Sequence, residues 1–108
     1  MRPGCNSVCC TIALSRLSAL ECRVAPLRRR DEVSLERFET FFARPDLQWL
    51  ELTAAVVDLA TTLRASYGLR TPDALQAACC LQLGQDAVML SGDASFARVE
   101  PLKLRLIQ

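Results

Sequence analysis

The chain predicts a mixed α/β fold with a mainly parallel sheet. Short apolar runs alternate with longer stretches of helical periodicity, Pro, Gly and capping residues separate them, and the resulting order is βααβααββ. Helices that join successive strands leave those strands parallel. At 108 residues, 51% hydrophobic, with four Gly and five Pro, the chain has apolar matter for one core, and composition excludes disorder, collagen-like repeats and low complexity. We read residues 1–10 as an irregular N-terminus and 11–108 as the folded domain.

The first strand is the run Thr11 to Ser15. From Arg16, the apolar residues Leu17, Leu20 and Val24 recur at helical spacing until Pro26 interrupts them. Glu32 to Ala43 fits a second helix with a stripe of Val33, Leu35, Phe38, Phe41 and Phe42, closed by Pro45-Asp46. Leu47 to Leu52 alternates as a strand with one buried face. Thr53 is a cap for a third helix, in which Val56, Leu59, Ala60, Leu63 and Tyr67 face one way and Gly68 supplies a left-handed terminus. Thr71-Pro72-Asp73 is a second start signal, with Thr71 as cap, and that helix continues through Leu75, Ala78, Cys79 and Gln82 to Gly84. Ala87 to Ser91 is an apolar strand, a short helical turn lies near Ser95, and Leu102 to Ile107 reads as an edge strand carrying Lys103 and Arg105.

Net charge is +1, so no overall field advertises a polyanion. The charge is unevenly spread: residues 1–30 hold six Arg against one Glu, a local +5. The six Cys include no CxxC and the chain has no His, which leaves no zinc pattern, and Cys79 reads as a small apolar core residue. The opening residues show neither a long apolar core nor a small-residue cleavage site, and no run of about 18 apolar residues exists; the expectation is a cytoplasmic protein with reduced thiols and no membrane contact.

In open parallel sheets the ligand crevice lies beyond the carboxyl ends of the strands. Three acids qualify by position: Glu21, early in the helix that leaves the first strand; Asp93, two residues past the Val88 strand in Ser91-Gly92-Asp93; and Asp73, at the start of the helix feeding that strand. Convergent carboxylates repel one another unless a cation neutralises them, and Mg²⁺ or Mn²⁺ suits such hard oxygen ligands. A metal held there would polarise a phosphodiester and activate water, with Arg16, Arg23 and the Arg28, Arg29, Arg30 run steering a nucleic-acid backbone. Taken singly, Asp73 equally reads as a helix-dipole residue, Asp93 as a turn residue and the three-Arg run as a solvated loop, whereas Glu21 beside the Leu17, Leu20 and Val24 stripe asks for a partner.

The blocks from Ser15 to Val24, from Tyr67 to Ala78 (YGLRTPDALQAA) and from Ser91 to Phe96 resemble, in order, the later motifs of PIN-domain ribonucleases, particularly VapC-type toxins of toxin–antitoxin pairs. The resemblance spans residues 11–108 and implies a three-layer PIN-like sandwich. It further implies a Mg²⁺- or Mn²⁺-dependent endoribonuclease acting on RNA, with Glu21, Asp73 and Asp93 as metal ligands and Ser91 as the small hydroxyl residue beside the last acid. A VapB-like antitoxin partner and a homodimer are implied in the same way. Family members begin with a central apolar strand ending in Asp, followed by two helices. Residues 1–10 hold no acid, so the resemblance implies a domain truncated at its N-terminus, either active with three acids or a catalytically inactive remnant that binds an antitoxin-like partner through the Phe-bearing helix.

Overall fold

A computed structural model describes residues 11–107; Gln108 and the irregular N-terminus expected over residues 1–10 lie outside the described residues. The chain divides into two compact units, 1–50 and 51–108.

In the first unit, strand β1 (Ala13–Ser15) passes directly into helix α1 (Arg16–Arg29). The step is made by Ser15, whose extended backbone ends the strand while its hydroxyl accepts the Ser18 N–H at 3.2 Å. Pro26, expected to interrupt the helix, lies inside it. It lacks one N–H, but it is buried and near the helix end, where Arg30 adopts a left-handed conformation and caps back onto the Leu27 carbonyl, and the Asp31 N–H bonds the Pro26 carbonyl at 2.9 Å. The three-Arg run is accordingly not a loop: Arg28 and Arg29 occupy the last helical turn, where cations complement the carbonyl ends, and Arg30 is the cap. The expected stripe is also less buried than its spacing suggests. Leu20 and Val24 are exposed, and the buried positions of α1 are Ala19 and Pro26.

Helix α2 (Glu32–Phe42) starts at Asp31, whose carboxylate accepts both the N–H and the hydroxyl of Ser34 at 3.1 and 2.7 Å. Strand β2 (Gln48–Leu50), shorter than the alternating run, pairs in parallel with β1, Leu14 opposite Trp49. Phe42 joins the two elements by stacking on Phe38 and meeting Trp49 edge to face, with centroids 5.9 and 5.5 Å apart.

In the second unit, helix α3 (Ala54–Tyr67) follows the reading closely: Thr53 caps the Val56 N–H at 3.2 Å and Gly68 ends the helix at φ 68°. Helix α4 (Thr71–Gln82) starts one residue earlier than its signal suggests. Arg70 rather than Thr71 is the extended cap residue, because Pro72 tolerates the second helical position as well as the first, both lacking intrahelical N–H partners. The two helices pack through Val56, Ala60 and Leu63 on α3 and Ala74, Ala77, Ala78 and Cys79 on α4, all buried. Strand β3 (Met89–Ser91) pairs in parallel with β4 (Leu104–Leu106), Leu90 opposite Arg105, through a connection that carries a 3-10 helix over Ala94–Arg98 and buries Phe96, Val99 and Leu102. Among the described strands each has one neighbour, and Val88 and Leu90 remain 51% and 62% exposed.

Candidate functional site

In the second unit, the turn from α3 into α4 and the turn leaving β3 supply the acids. Two arginines fix the first of these turns. Arg64 donates to the Leu69 carbonyl at 2.6 Å, and Arg98, from the 3-10 helix, donates to the Tyr67 carbonyl at 3.1 Å. Leu69 itself is buried, so the turn is anchored on both its polar and apolar sides. Asp73 follows in the first turn of α4, its side chain 16% exposed, and its Oδ2 accepts Nε of Arg70 at 3.0 Å.

The second turn is built by reciprocal side-chain caps. The Ser91 hydroxyl accepts the Asp93 N–H at 3.0 Å, and Asp93 Oδ1 accepts the Ser95 N–H at 2.8 Å, which starts the 3-10 helix. Hydrogen bonding from Ser95 holds the Asp93 carboxyl below the usual range, and the positive charges of Arg70 and Arg98 lower it further. Arg70 pairs directly with Asp73 alone; toward Asp93 its charge is a lesser influence than the Ser95 hydrogen bonds.

Glu21 belongs to the first unit, where it is exposed on α1 rather than beside a buried face, because Leu20 and Val24 next to it are themselves exposed. Among the described residues no group of three or more His, Cys, Asp or Glu stands ready to hold a metal ion. Of the basic residues, Arg16 lies 4.5 Å over the Trp49 ring, Arg23 bonds back to the Ala19 carbonyl at 2.8 Å and Arg29 pairs with Asp31 at 3.4 Å, while Arg28 and Arg30 are exposed at the end of α1.

Sequence reasoning missed Arg70 and Arg98. Arg70 had a local signal, three residues ahead of Asp73, the spacing of a helical ion pair. Arg98 had none, since it acts across 31 residues. An open groove of about 650 Å³ between α3 and α4 is lined by Val57, Ala60, Thr61, Arg64 and Leu75 among others; neither acid lines it. Free thiols among the described residues are Cys22, Cys79 and Cys80, and burial raises the pKa of each. No described helix is long and apolar enough to cross a membrane.

The described elements make an α/β protein with two parallel strand pairs, Asp73 in the first turn of α4 and Asp93 in the turn that leaves β3. The PIN domain family matches residues 10–101, and the chain belongs to that family. Among solved structures it is similar to a chain of VapBC2 from Rickettsia felis bound to a DNA fragment from their promoter, at 19% identity and TM-score 0.74, covering 89% of this chain and 74% of that one. It is also similar to a chain of a toxin–antitoxin complex from Klebsiella pneumoniae, at 17% identity and TM-score 0.66, covering 91% and 77% respectively. No curated protein sequence matches it significantly.

Proposed function

We propose that this PIN-domain chain is a VapC-like toxin component, a cytoplasmic endoribonuclease that hydrolyses RNA phosphodiester bonds with Mg²⁺ or Mn²⁺ and pairs with a VapB-like antitoxin. Family membership supports the reaction class, and the two similar structures, both toxin–antitoxin complexes, support the partner. The single observation that carries the site is the placement of its two acids in ordered turns of the second unit, Asp73 paired with Arg70 at 3.0 Å and Asp93 accepting the Ser95 N–H at 2.8 Å. Carboxylates are hard oxygen ligands, the donor type that Mg²⁺ takes through one or two of them while keeping several waters. Asp73 and Asp93 would hold the ion, with Glu21 as the third acid of the reading, and the bound ion supplies Lewis-acid polarisation of a phosphoryl oxygen and a more acidic water.

The chain's own residues do the positioning. Ser91 fixes the Asp93 backbone through its hydroxyl, and Ser95 fixes the Asp93 carboxylate. The exposed cations Arg28 and Arg30, with Arg16 and Arg23, supply sequence-independent attraction for the RNA backbone. A homodimer is part of the same reading.

The test is cleavage of a structured RNA pool by the full chain in Mg²⁺, Mn²⁺ or EDTA, beside the Glu21→Gln, Asp73→Asn, Asp93→Asn triple variant. Metal-dependent cleavage that vanishes in the variant is the expected result. A second reading, a remnant that binds its partner without cleaving, is favoured by the absence of a three-acid cluster among the described residues. It is also favoured by the half-buried Phe38, Phe41 and Phe42 on α2, an aromatic face suited to a partner helix. Antitoxin binding by a folded chain that leaves RNA intact would establish it.

A further inference from the structure

Helix α1 carries two apolar faces. Its buried positions are the small residues Ala19 and Pro26, and within its unit the helix packs against β1 and α2. Its larger aliphatic residues lie elsewhere. Leu17, Leu20, Val24 and Leu27 have the spacing of a heptad seam, which at about 100° per residue runs roughly 130° round the helix from the buried pair. Leu17 is half-buried, but Leu20, Val24 and Leu27 are 55%, 37% and 61% exposed. A helix that buries small side chains and turns a continuous aliphatic stripe to solvent presents one half of a helix–helix interface.

The residues bordering the seam state what covers it. Arg16 and Arg23 flank one side, Arg28 and Glu21 the other, three cations against one acid. Arg16 is held over the Trp49 ring and Arg23 by the Ala19 carbonyl, which lowers the cost of ordering them on docking. We infer that the α1 stripe docks an amphipathic helix of a partner protein, one with its own aliphatic seam and mainly acidic flanks. The inference stands on this surface alone, apart from the metal and nuclease reading and from the aromatic face of α2. A second copy of α1 laid antiparallel would pair Glu21 with Arg28 on one side but oppose Arg23 to Arg23 on the other, which disfavours it. RNA would use the same arginines, yet its bases stack on aromatic or guanidinium planes and gain little from Leu and Val.

The experiment is fluorescence anisotropy of two labelled synthetic helical peptides titrated with the full chain. Both have Leu along the seam; one has Glu at the flanking positions and the other Lys. The acidic peptide should bind at least about tenfold more tightly at low salt, with the preference shrinking at high salt. Leu20→Ser with Val24→Ser should weaken binding about tenfold or more, and Arg23→Glu with Arg28→Glu should reverse the preference toward the basic peptide. These substitutions fall on exposed positions, and far-ultraviolet circular dichroism checks that each variant is folded. No binding of the acidic peptide, equal binding of both peptides, or binding that the seam variant leaves unchanged overturns the inference. So does a wild-type dimer in analytical ultracentrifugation that the seam variant dissociates, which would assign the stripe to a second copy. Binding of a single-stranded RNA oligonucleotide that the seam variant weakens would assign it to RNA and overturn the inference equally.

Discussion

Leu69 offers a quantitative check on how the α3–α4 turn is held. Its side chain is 1% exposed, between Gly68 in a left-handed conformation and the Arg70 cap, and Arg64 binds its carbonyl at 2.6 Å. Leu69→Ala removes buried methyl groups and leaves a cavity, a change that costs about 2 to 5 kcal/mol depending on how far the surroundings collapse. Here the backbone is pinned on both sides and collapse is restricted, which puts the expected loss at about 3 to 4 kcal/mol. With a urea slope near 1.3 kcal/mol/M for a chain of this size, the unfolding midpoint should fall by about 2 to 3 M. The assay is urea denaturation followed by far-ultraviolet circular dichroism, with Leu83→Ala, 39% exposed at the end of α4, as the control losing under about 1 kcal/mol. A Leu69→Ala loss no larger than that of the control would refute the anchoring of this turn.

Gly68→Ala should cost about 1 kcal/mol by thermal denaturation, because its φ of 68° strains any residue with a Cβ while the nearest obstacle, Arg98 Nη1 at 3.9 Å, leaves room for the methyl group. The Asp93 carboxyl is held below its unfolded value by the Ser95 hydrogen bonds and then by Arg70 and Arg98, so its contribution to stability is present above the unfolded pKa and disappears as pH falls through the folded one. Carbon-detected NMR titration should place its midpoint below the ordinary Asp value, and Asp93→Ala should flatten the stability profile below about pH 4. Arg16→Ala removes the guanidinium 4.5 Å from the Trp49 centroid; it should shift the emission of this single Trp and cost about 0.5 to 1 kcal/mol in the first unit.

The elements that the sequence places correctly share a physical feature: their signals act over three or four residues. Thr53 reaches the Val56 N–H, and Gly68 adopts a conformation that L side chains resist, whatever the rest of the chain does. The turns that carry Asp73 and Asp93 were legible for the same reason, since a helix start and a strand end define them locally. Pro26 shows the limit of local rules. Its missing N–H argues for a break, yet burial of its ring and the Arg30 cap carry α1 three residues further.

Sequence by itself therefore determined the order of strands and helices and, apart from the end of α1, the helix termini to within a residue or two. Tertiary structure alone decided which apolar stripe is covered. Leu20 and Val24 have the spacing of a buried face and lie exposed, because periodicity states which residues share a side of a helix and not what packs against it. It alone also decided how the α3–α4 turn is braced: Arg98 meets the Tyr67 carbonyl only because the chain folds back over 31 residues, and no local pattern encodes a contact of that range.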